Sequence, residues 1–178
     1  MRRTLLRFEK LQQIVGGEGM AVIILTDMER KNAISVVCDE PMFQQLQMRV
    51  SNPRVCRNML PETLLSLLPS SYEMMVCGLF EGQYQVVLMD EIGNSVRLRM
   101  SDAVLLSLMS DIPLYIEYGL MERQCYTYDE EADCIAIPIN TMDLPRLKMA
   151  LQKAVEDENY ELASQLRDEI NRRHHVTS

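Results

Sequence analysis

Short apolar runs bounded by turn residues recur through the first two-thirds of the chain. The runs at 20–25 and 33–38 are rich in β-branched residues and flank the charged stretch TDMERKN, which predicts a β-hairpin. IPLYIEY, at 112–118, predicts a later strand. Between them lie three further strand-like runs, separated by glycine-containing turns, at 72–80, 83–90 and 95–100.

Helical patterns lie between these strands. Proline suits the first turn of a helix, so Pro41 predicts a helix that continues through MFQQLQM. A second helix is predicted from MLPETLLSLLP, and it ends at Pro69. Its leucines share one face: Leu60, Leu64, Leu67 and Leu68.

The run from 95 to 111 combines a strand with a third helix. Arg97 and Arg99 alternate with apolar neighbours, so one face of this strand is expected to be buried. SDAVLLSLMSD then opens the helix, with Ser101 as the expected cap and Asp102 in the first turn. Strands and helices interleave without a regular βαβ rhythm. We therefore predict an α+β fold with a mixed, largely antiparallel sheet and packed helices.

The chain ends in the pattern of two short amphipathic helices. Asp143 and Pro145 suit an N-cap and a first turn. Apolar residues recur at spacings of three and four, namely Leu144, Leu147, Leu151, Ala154, Val155, Leu162, Ala163, Leu166 and Ile170. A hairpin of this size does not normally fold alone. Its apolar stripe is therefore expected to be covered by the preceding domain, by a second copy of the chain or by another protein.

These patterns divide the chain into three segments. Residues 1–122 form the α+β domain, and residues 143–178 form the helical hairpin. Between them, residues 123–142 are predicted to be a linker, to which the apolar run CIAIPI adds at most one edge strand. The linker continues an acidic stretch, because residues 111–133 hold seven acids against the single base Arg123.

Charge narrows the choice of partners. The net charge of −8 repels polyanions, so any affinity for nucleic acid must come from a local basic patch. One candidate is the segment 41–61, which contains Arg49, Arg54 and Arg57 and no acid. Two interpretations stay open, a solvated surface of uneven charge and an arginine-lined face that binds phosphate or carboxylate.

Cysteine content and hydropathy indicate the cellular compartment in which the protein works. The five cysteines are odd in number and form no C-x-x-C pair, which favours reduced thiols over a disulfide framework. The start, MRRTLLRFEK, lacks an apolar core, and no apolar run approaches the length of a membrane span. We therefore expect a cytoplasmic protein without a membrane segment.

The stretch RLRMSDAVLLSLMSDIPLYI, residues 97–116, resembles the bifunctional nuclease (BFN) domain found in many bacterial and some plant proteins. The family pattern has an arginine at a strand end, then Pro-Ser-Asp-Ala opening an apolar helix. Arg99, Ser101 and Asp102 match it, and Met100 replaces the proline. In a weaker match, PRVCRNML, Arg57 and Asn58 stand where the family has histidine and aspartate.

This resemblance implies hydrolysis of DNA or RNA assisted by Mg²⁺ or Mn²⁺. It assigns catalysis to Asp102, Ser101 and Arg99, with Asp102 and Glu91 as metal ligands. The implied substrate-binding residues are Arg97, Arg57, Asn58 and Arg54. The alternative role of Ser101 and Asp102 is structural, as a helix cap and an acid that complements the helix dipole.

The stretch YELASQLRDEI, residues 160–170, resembles the UVR motif, a helical hairpin first known from the excision-repair proteins UvrB and UvrC. The resemblance covers about residues 143–172 and implies that two such hairpins pair as four helices, with Arg167 and Asp168 adding specificity. The partner is a second copy of the chain or another UVR-containing protein. The implied interaction residues are Leu147, Leu151, Ala154, Tyr160, Ala163, Leu166, Arg167, Asp168 and Ile170.

Two functions follow for the whole chain. The first is a nuclease-family enzyme that carries an interaction hairpin. The second is a non-catalytic adaptor that dimerises or recruits a partner through that hairpin. The absence of histidine from residues 1–122 and the scarcity of matched acids favour the adaptor, whereas the BFN resemblance favours the enzyme.

Overall fold

The computed structural model describes residues 2–13, 20–67, 71–131 and 139–176, with side chains as far as Arg173. The predicted α+β class is confirmed. The elements in chain order are β1 Arg3–Leu5, β2 Arg7–Gln13, β3 Met20–Thr26, β4 Asn32–Asp39, α1 Glu40–Ser51, α2 Pro53–Cys56, α3 Leu60–Leu65, β5 Tyr72–Phe80, β6 Gln83–Asp90, β7 Ser95–Leu98, α4 Met100–Met109, β8 Leu114–Glu117, α5 Tyr118–Gln124, β9 Tyr126–Thr127, α6 Leu144–Glu156 and α7 Tyr160–Val176.

Contacts divide the chain into two compact units. The first comprises Met1–Gly78 and Tyr84–Ala136, and the second comprises Leu79–Gln83 and Ile137–Ser178. The turn between β5 and β6 thus belongs with the C-terminal helices rather than with the sheets. Among the described residues, no helix combines the length and the apolar character that a bilayer crossing requires.

The first unit contains two sheets. A five-stranded sheet has the order β1-β8-β5-β6-β7, and a four-stranded sheet has the order β2-β3-β4-β9. The predicted hairpin of β3 and β4 is confirmed as an antiparallel pair. Most of its apolar side chains are buried, and Ile23, Leu25 and Ile34 are almost completely so. The larger sheet is mixed, because β5 and β8 run parallel whereas β1 pairs antiparallel with β8.

The charged N-terminal stretch forms two strands that the sequence patterns did not predict. In β1, Arg3 pairs with Glu117 of β8, and its guanidinium lies 3.9 Å from the ring centroid of Tyr115. The guanidinium of Arg2 lies at the same distance, 3.9 Å, from the ring of Tyr118. Cation–π contacts of this kind stabilise arginines on an aromatic surface. The two arginines whose charges made this stretch unlike a strand in the sequence therefore help to stabilise β1 at the edge of the sheet.

The predicted helix at Pro41 is confirmed as α1. The carboxylate of Asp39 caps it by accepting a hydrogen bond from the backbone N–H of Met42, at 3.0 Å. The leucine-rich segment also forms a helix, α3, but no residue of α3 is buried. Leu60 and Leu64 instead lie exposed on its surface, and the predicted positions Leu68 and Pro69 fall outside the described residues.

Two local predictions are corrected around β7 and α4. Ser101 was expected to cap α4, but the helix begins two residues earlier than that prediction, at Met100. Arg99 holds the N-cap position, and no side chain caps the helix. The apolar face of β7 was expected to be buried, but Val96 is exposed. The reason is position, since β7 is the last strand of its sheet and has a neighbour on one side only.

The segment after α5 adds a strand to the smaller sheet. Tyr126 and Thr127 form β9, which pairs with the start of β4 at the sheet edge. The hydroxyl groups of Tyr126 and Ser35 lie 3.0 Å apart and share a hydrogen bond. This strand lies within residues 123–142, the segment predicted to be a linker with at most one edge strand. Most of CIAIPI, where it was expected, lies outside the described residues.

Candidate functional site

The two C-terminal helices are defined by local capping signals. Asp143 precedes α6 as predicted, and its carboxylate accepts a hydrogen bond from the backbone N–H of Arg146, at 2.9 Å. Glu158, in the connection to α7, has a left-handed backbone with φ of 56°. The side chain of Asn159 then accepts a hydrogen bond from the backbone N–H of Leu162, at 3.2 Å, which caps α7.

The apolar stripes of α6 and α7 face each other within the second unit. The buried residues of this small core are Leu147, Ala154, Ala163, Leu166 and Ile170. The partly buried side chains that pack against them are Ile139, Met142, Leu144, Ala150 and Leu151. The stripe is therefore covered largely by the hairpin itself and by the turn that precedes it.

A second set of apolar side chains points away from this core. Val155 is 53% exposed and Tyr160 is 69% exposed, on either side of the turn that joins the helices. Met149 and Leu162 are also exposed. Arg167 and Asp168 are exposed as well, and their charged groups lie 3.7 Å apart in a loose ion pair. The outer surface of the hairpin thus combines apolar groups with charges of both signs.

Residues 144–172 match the family model of the UVR segment, described as the UvrB/uvrC motif. The match covers α6 and most of α7, and no part of the first unit. No curated protein matches the chain.

The structure separates the residues of the UVR segment into two groups. Five of the nine predicted interaction residues form the internal core described above, so their apolar groups are consumed in holding α6 against α7. Leu151 is partly buried against that core. Tyr160, Arg167 and Asp168 are exposed. The exposure of Met149 and Val155 could not be predicted from their spacing. An apolar stripe does not show which of its residues the neighbouring helix covers.

An ion-pair network anchors the end of the UVR segment. The Glu169 carboxylate accepts hydrogen bonds from Arg172 at 2.8 Å and from Arg173 at 2.7 Å. Arg173 also donates to the backbone carbonyls of Met142, at 2.6 Å, and Asn140, at 3.1 Å. One guanidinium thus fastens α7 to the turn before α6. This role of Arg173 could not be predicted from the sequence, because two of its acceptors are main-chain carbonyl groups.

Burial acts to raise the pKa of Glu169, but the hydrogen bonds from Arg172 and Arg173 outweigh it and lower the pKa. A lowered folded-state pKa stabilises the fold in full above the ordinary pKa of about 4.3, and this contribution is lost as the pH falls through the folded-state value.

We expect Glu169→Gln to abolish this part of the acid sensitivity, measured by urea unfolding between about pH 3 and pH 6. Glu161→Gln, at an exposed position, is the control, and an equal effect there would contradict the role of Glu169.

The residues matched to the nuclease pattern lie elsewhere, in the first unit. Asp102, in the first turn of α4, receives two hydrogen bonds from Arg99, at 2.6 and 3.0 Å. This bidentate bond raises the pKa of Arg99. Arg97 is exposed on β7, and Glu91 is exposed in the turn before it. Among the described residues, no three His, Cys, Asp or Glu side chains converge to hold a metal ion.

The remaining predicted substrate-binding residues line or adjoin a different place. Arg54 and Arg57 line a cleft formed by α1, α2, α3 and the end of α4, and Asn58 is exposed next to Arg57. As far as the structure describes the chain, the lining of this cleft does not include Arg97, Arg99 or Asp102. The arginines of the predicted nuclease site are thus distributed over separate surfaces.

Proposed function

We propose that this protein is a non-catalytic adaptor that dimerises by pairing its UVR segment with that of a second copy. The observation that carries the proposal is the exposure of Val155 and Tyr160 on a hairpin whose own core is closed. Large apolar side chains beside a turn form a surface that a protein partner covers at a gain of about 25 cal/mol per Å² of apolar area.

Charge supports a second copy as the partner. In a two-fold symmetric interface, every contact between two different residues occurs twice, once in each direction. Arg167 and Asp168 are adjacent, opposite in charge and exposed, and their internal contact of 3.7 Å is loose. Arg167 of one copy is therefore suited to bind Asp168 of the other copy, and the reverse pair forms across the same two-fold axis. The alternative is pairing with a different UVR-containing protein, which the same surface would serve.

The Val155→Asp/Tyr160→Asp double variant tests the proposal. Both side chains are exposed, so the variant is expected to fold, while two carboxylates on the proposed contact surface prevent pairing. Sedimentation equilibrium of the full chain should give a dimer for the wild type and a monomer for the variant. Ile92→Asp makes the same kind of change at an exposed position of the first unit and should stay dimeric.

Two results would contradict self-pairing. One is a monomeric wild type at all concentrations measured. The other is a double variant that remains dimeric while its helical circular dichroism is unchanged. In the first case, pairing with a separately produced UVR hairpin, lost in the double variant, would support the alternative partner.

We propose nuclease activity of the first unit as a second candidate, supported by the resemblance of residues 97–116 to the BFN domain. Asp102 is the acid it depends on. If the proposal holds, purified protein degrades single- or double-stranded substrates with Mg²⁺ or Mn²⁺, and Asp102→Asn reduces the rate by about 100-fold or more. Asp111→Asn, beyond the end of α4, is the matched control. No degradation with either metal, or full activity of Asp102→Asn, would contradict it.

A further inference from the structure

The first unit contains an open cleft of about 670 Å³. Its walls come from the end of α1, from α2 and α3, and from the end of α4. This volume is within the range of small-molecule sites, about 300–1,000 Å³. The lining residues that matter here are Arg49, Arg54, Arg57, Glu62, Leu108 and Met109.

The cleft is positively charged. The side chain of Arg49 is 4% exposed and its Nε donates to Glu62 at 2.7 Å, so these two charges offset each other. Arg54 and Arg57 are exposed, and neither forms an ion pair with a carboxylate in the described part of the chain. Two arginines that line one cleft without a carboxylate partner are a distinctive feature in a protein with a net charge of −8. Their planar forks match the oxygens of a phosphate group.

The buried ion pair at the wall leaves one donor and one acceptor unused. Arg49 Nη2 and Glu62 Oε2 are buried, and neither has a hydrogen-bond partner among the described residues. Buried polar groups are ordinarily paired. A ligand hydroxyl that displaced the covering side chains would satisfy both atoms, because a hydroxyl group both accepts and donates. Leu108 and Met109 add an apolar patch on which the carbon atoms of such a ligand can rest.

We propose that this cleft binds a small phosphomonoester that carries hydroxyl groups. Arg54 and Arg57 hold its phosphate, and a hydroxyl lies against the Arg49–Glu62 pair. The inference is independent of the UVR segment and of dimerisation. It also requires no cleavage chemistry.

Calorimetric titration of the full chain tests the site with three probes, ribose 5-phosphate, inorganic phosphate and ribose. Ribose 5-phosphate should bind saturably, inorganic phosphate more weakly, and ribose not measurably. Arg54→Gln and Arg57→Gln should each weaken ribose 5-phosphate binding by about tenfold or more, since a hydrogen bond to a charged group is lost. Both side chains are exposed, so the variants are expected to fold.

Arg7→Gln is the matched control, because it removes an exposed arginine of the first unit outside the cleft and should leave binding unchanged. Equal weakening in Arg7→Gln would overturn the site in favour of a general attraction of the phosphate to surface arginines. No saturable binding of ribose 5-phosphate would also overturn it. A 5′-phosphorylated oligonucleotide that binds through Arg54 and Arg57 when ribose 5-phosphate does not would assign the cleft to nucleic acid and overturn a small ligand.

Discussion

Leu166→Asp is expected to unfold the UVR segment rather than merely weaken its association with a partner. Leu166 is 1% exposed and lies in the centre of the small core between α6 and α7. Truncation of a buried leucine costs about 2–5 kcal/mol, and an unpaired buried carboxylate adds to that. In the described part of the chain this core has five buried residues, so a loss of this size exceeds what the others can offset.

The measurement is far-ultraviolet circular dichroism together with limited proteolysis of residues 144–176. We expect a loss of helical signal and rapid cleavage within the hairpin. Gln165→Asp, which introduces the same charge at the adjacent exposed position, should leave both unchanged. A Leu166→Asp variant that keeps its helical signal and its protease resistance would show that the core between the helices does not stabilise them.

Gly82→Ala has the second largest expected effect. Gly82 lies in the turn between β5 and β6, with φ of 81°, a conformation that disfavours residues with a Cβ. A Cβ at this position would also overlap the carbonyl oxygen of Met142, to which Arg173 donates a hydrogen bond. The variant therefore combines backbone strain with displacement of an anchored carbonyl group. We expect it to lower the free energy of unfolding by about 2–4 kcal/mol in urea titration.

Gly93→Ala separates the two causes. Gly93 has a similar φ of 90°, but nothing lies within 4 Å of where its Cβ would be. It should therefore show the backbone strain alone, about 1 kcal/mol. Equal losses in the two variants would mean that the contact between Gly82 and Met142 contributes nothing to stability.

The parts of the fold that depend on neighbouring residues were predictable from the sequence. The apolar spacing of three and four in α6 and α7, with Asp143 before α6, identified the hairpin. Both signals are local, because an N-cap acts within one turn and an apolar stripe joins residues three and four apart. The β3–β4 hairpin was equally visible, since both strands are buried and rich in β-branched residues. In each case the local preference agrees with the final structure.

The edges of the sheets were not predictable in the same way. β1 lies at the edge of one sheet and β2 at the edge of the other, and both carry arginines. A half-exposed edge strand accepts charged side chains, so its pattern does not stand out from that of a loop. The exposed leucines of α3 show a different limit. A regular apolar stripe predicts a helix, but it does not show whether another part of the protein covers that stripe.

The candidate sites were likewise predictable where they lie in one stretch of sequence, and not where distant segments come together. Tyr160, Arg167 and Asp168 could be named from their sequence because the UVR segment is one continuous stretch. The arginine cleft could be seen only in part, through Arg54 and Arg57. Its other wall comes from Leu108 and Met109, about fifty residues further along the chain, and Glu62 lies just beyond the acid-free segment that drew attention. Long-range assembly, rather than local pattern, decides which arginines share a site.

The pairing of β1 with β8 has a consequence for the order of events during synthesis. Arg3 pairs with Glu117, so β1 has no neighbour in its sheet until residue 117 has left the ribosome. The β3–β4 hairpin closes over a much shorter loop, with Thr26 opposite Ala33, and can form early. Because residues 3–5 must wait for residues 115–117, the larger sheet can close only after most of the first unit has been translated.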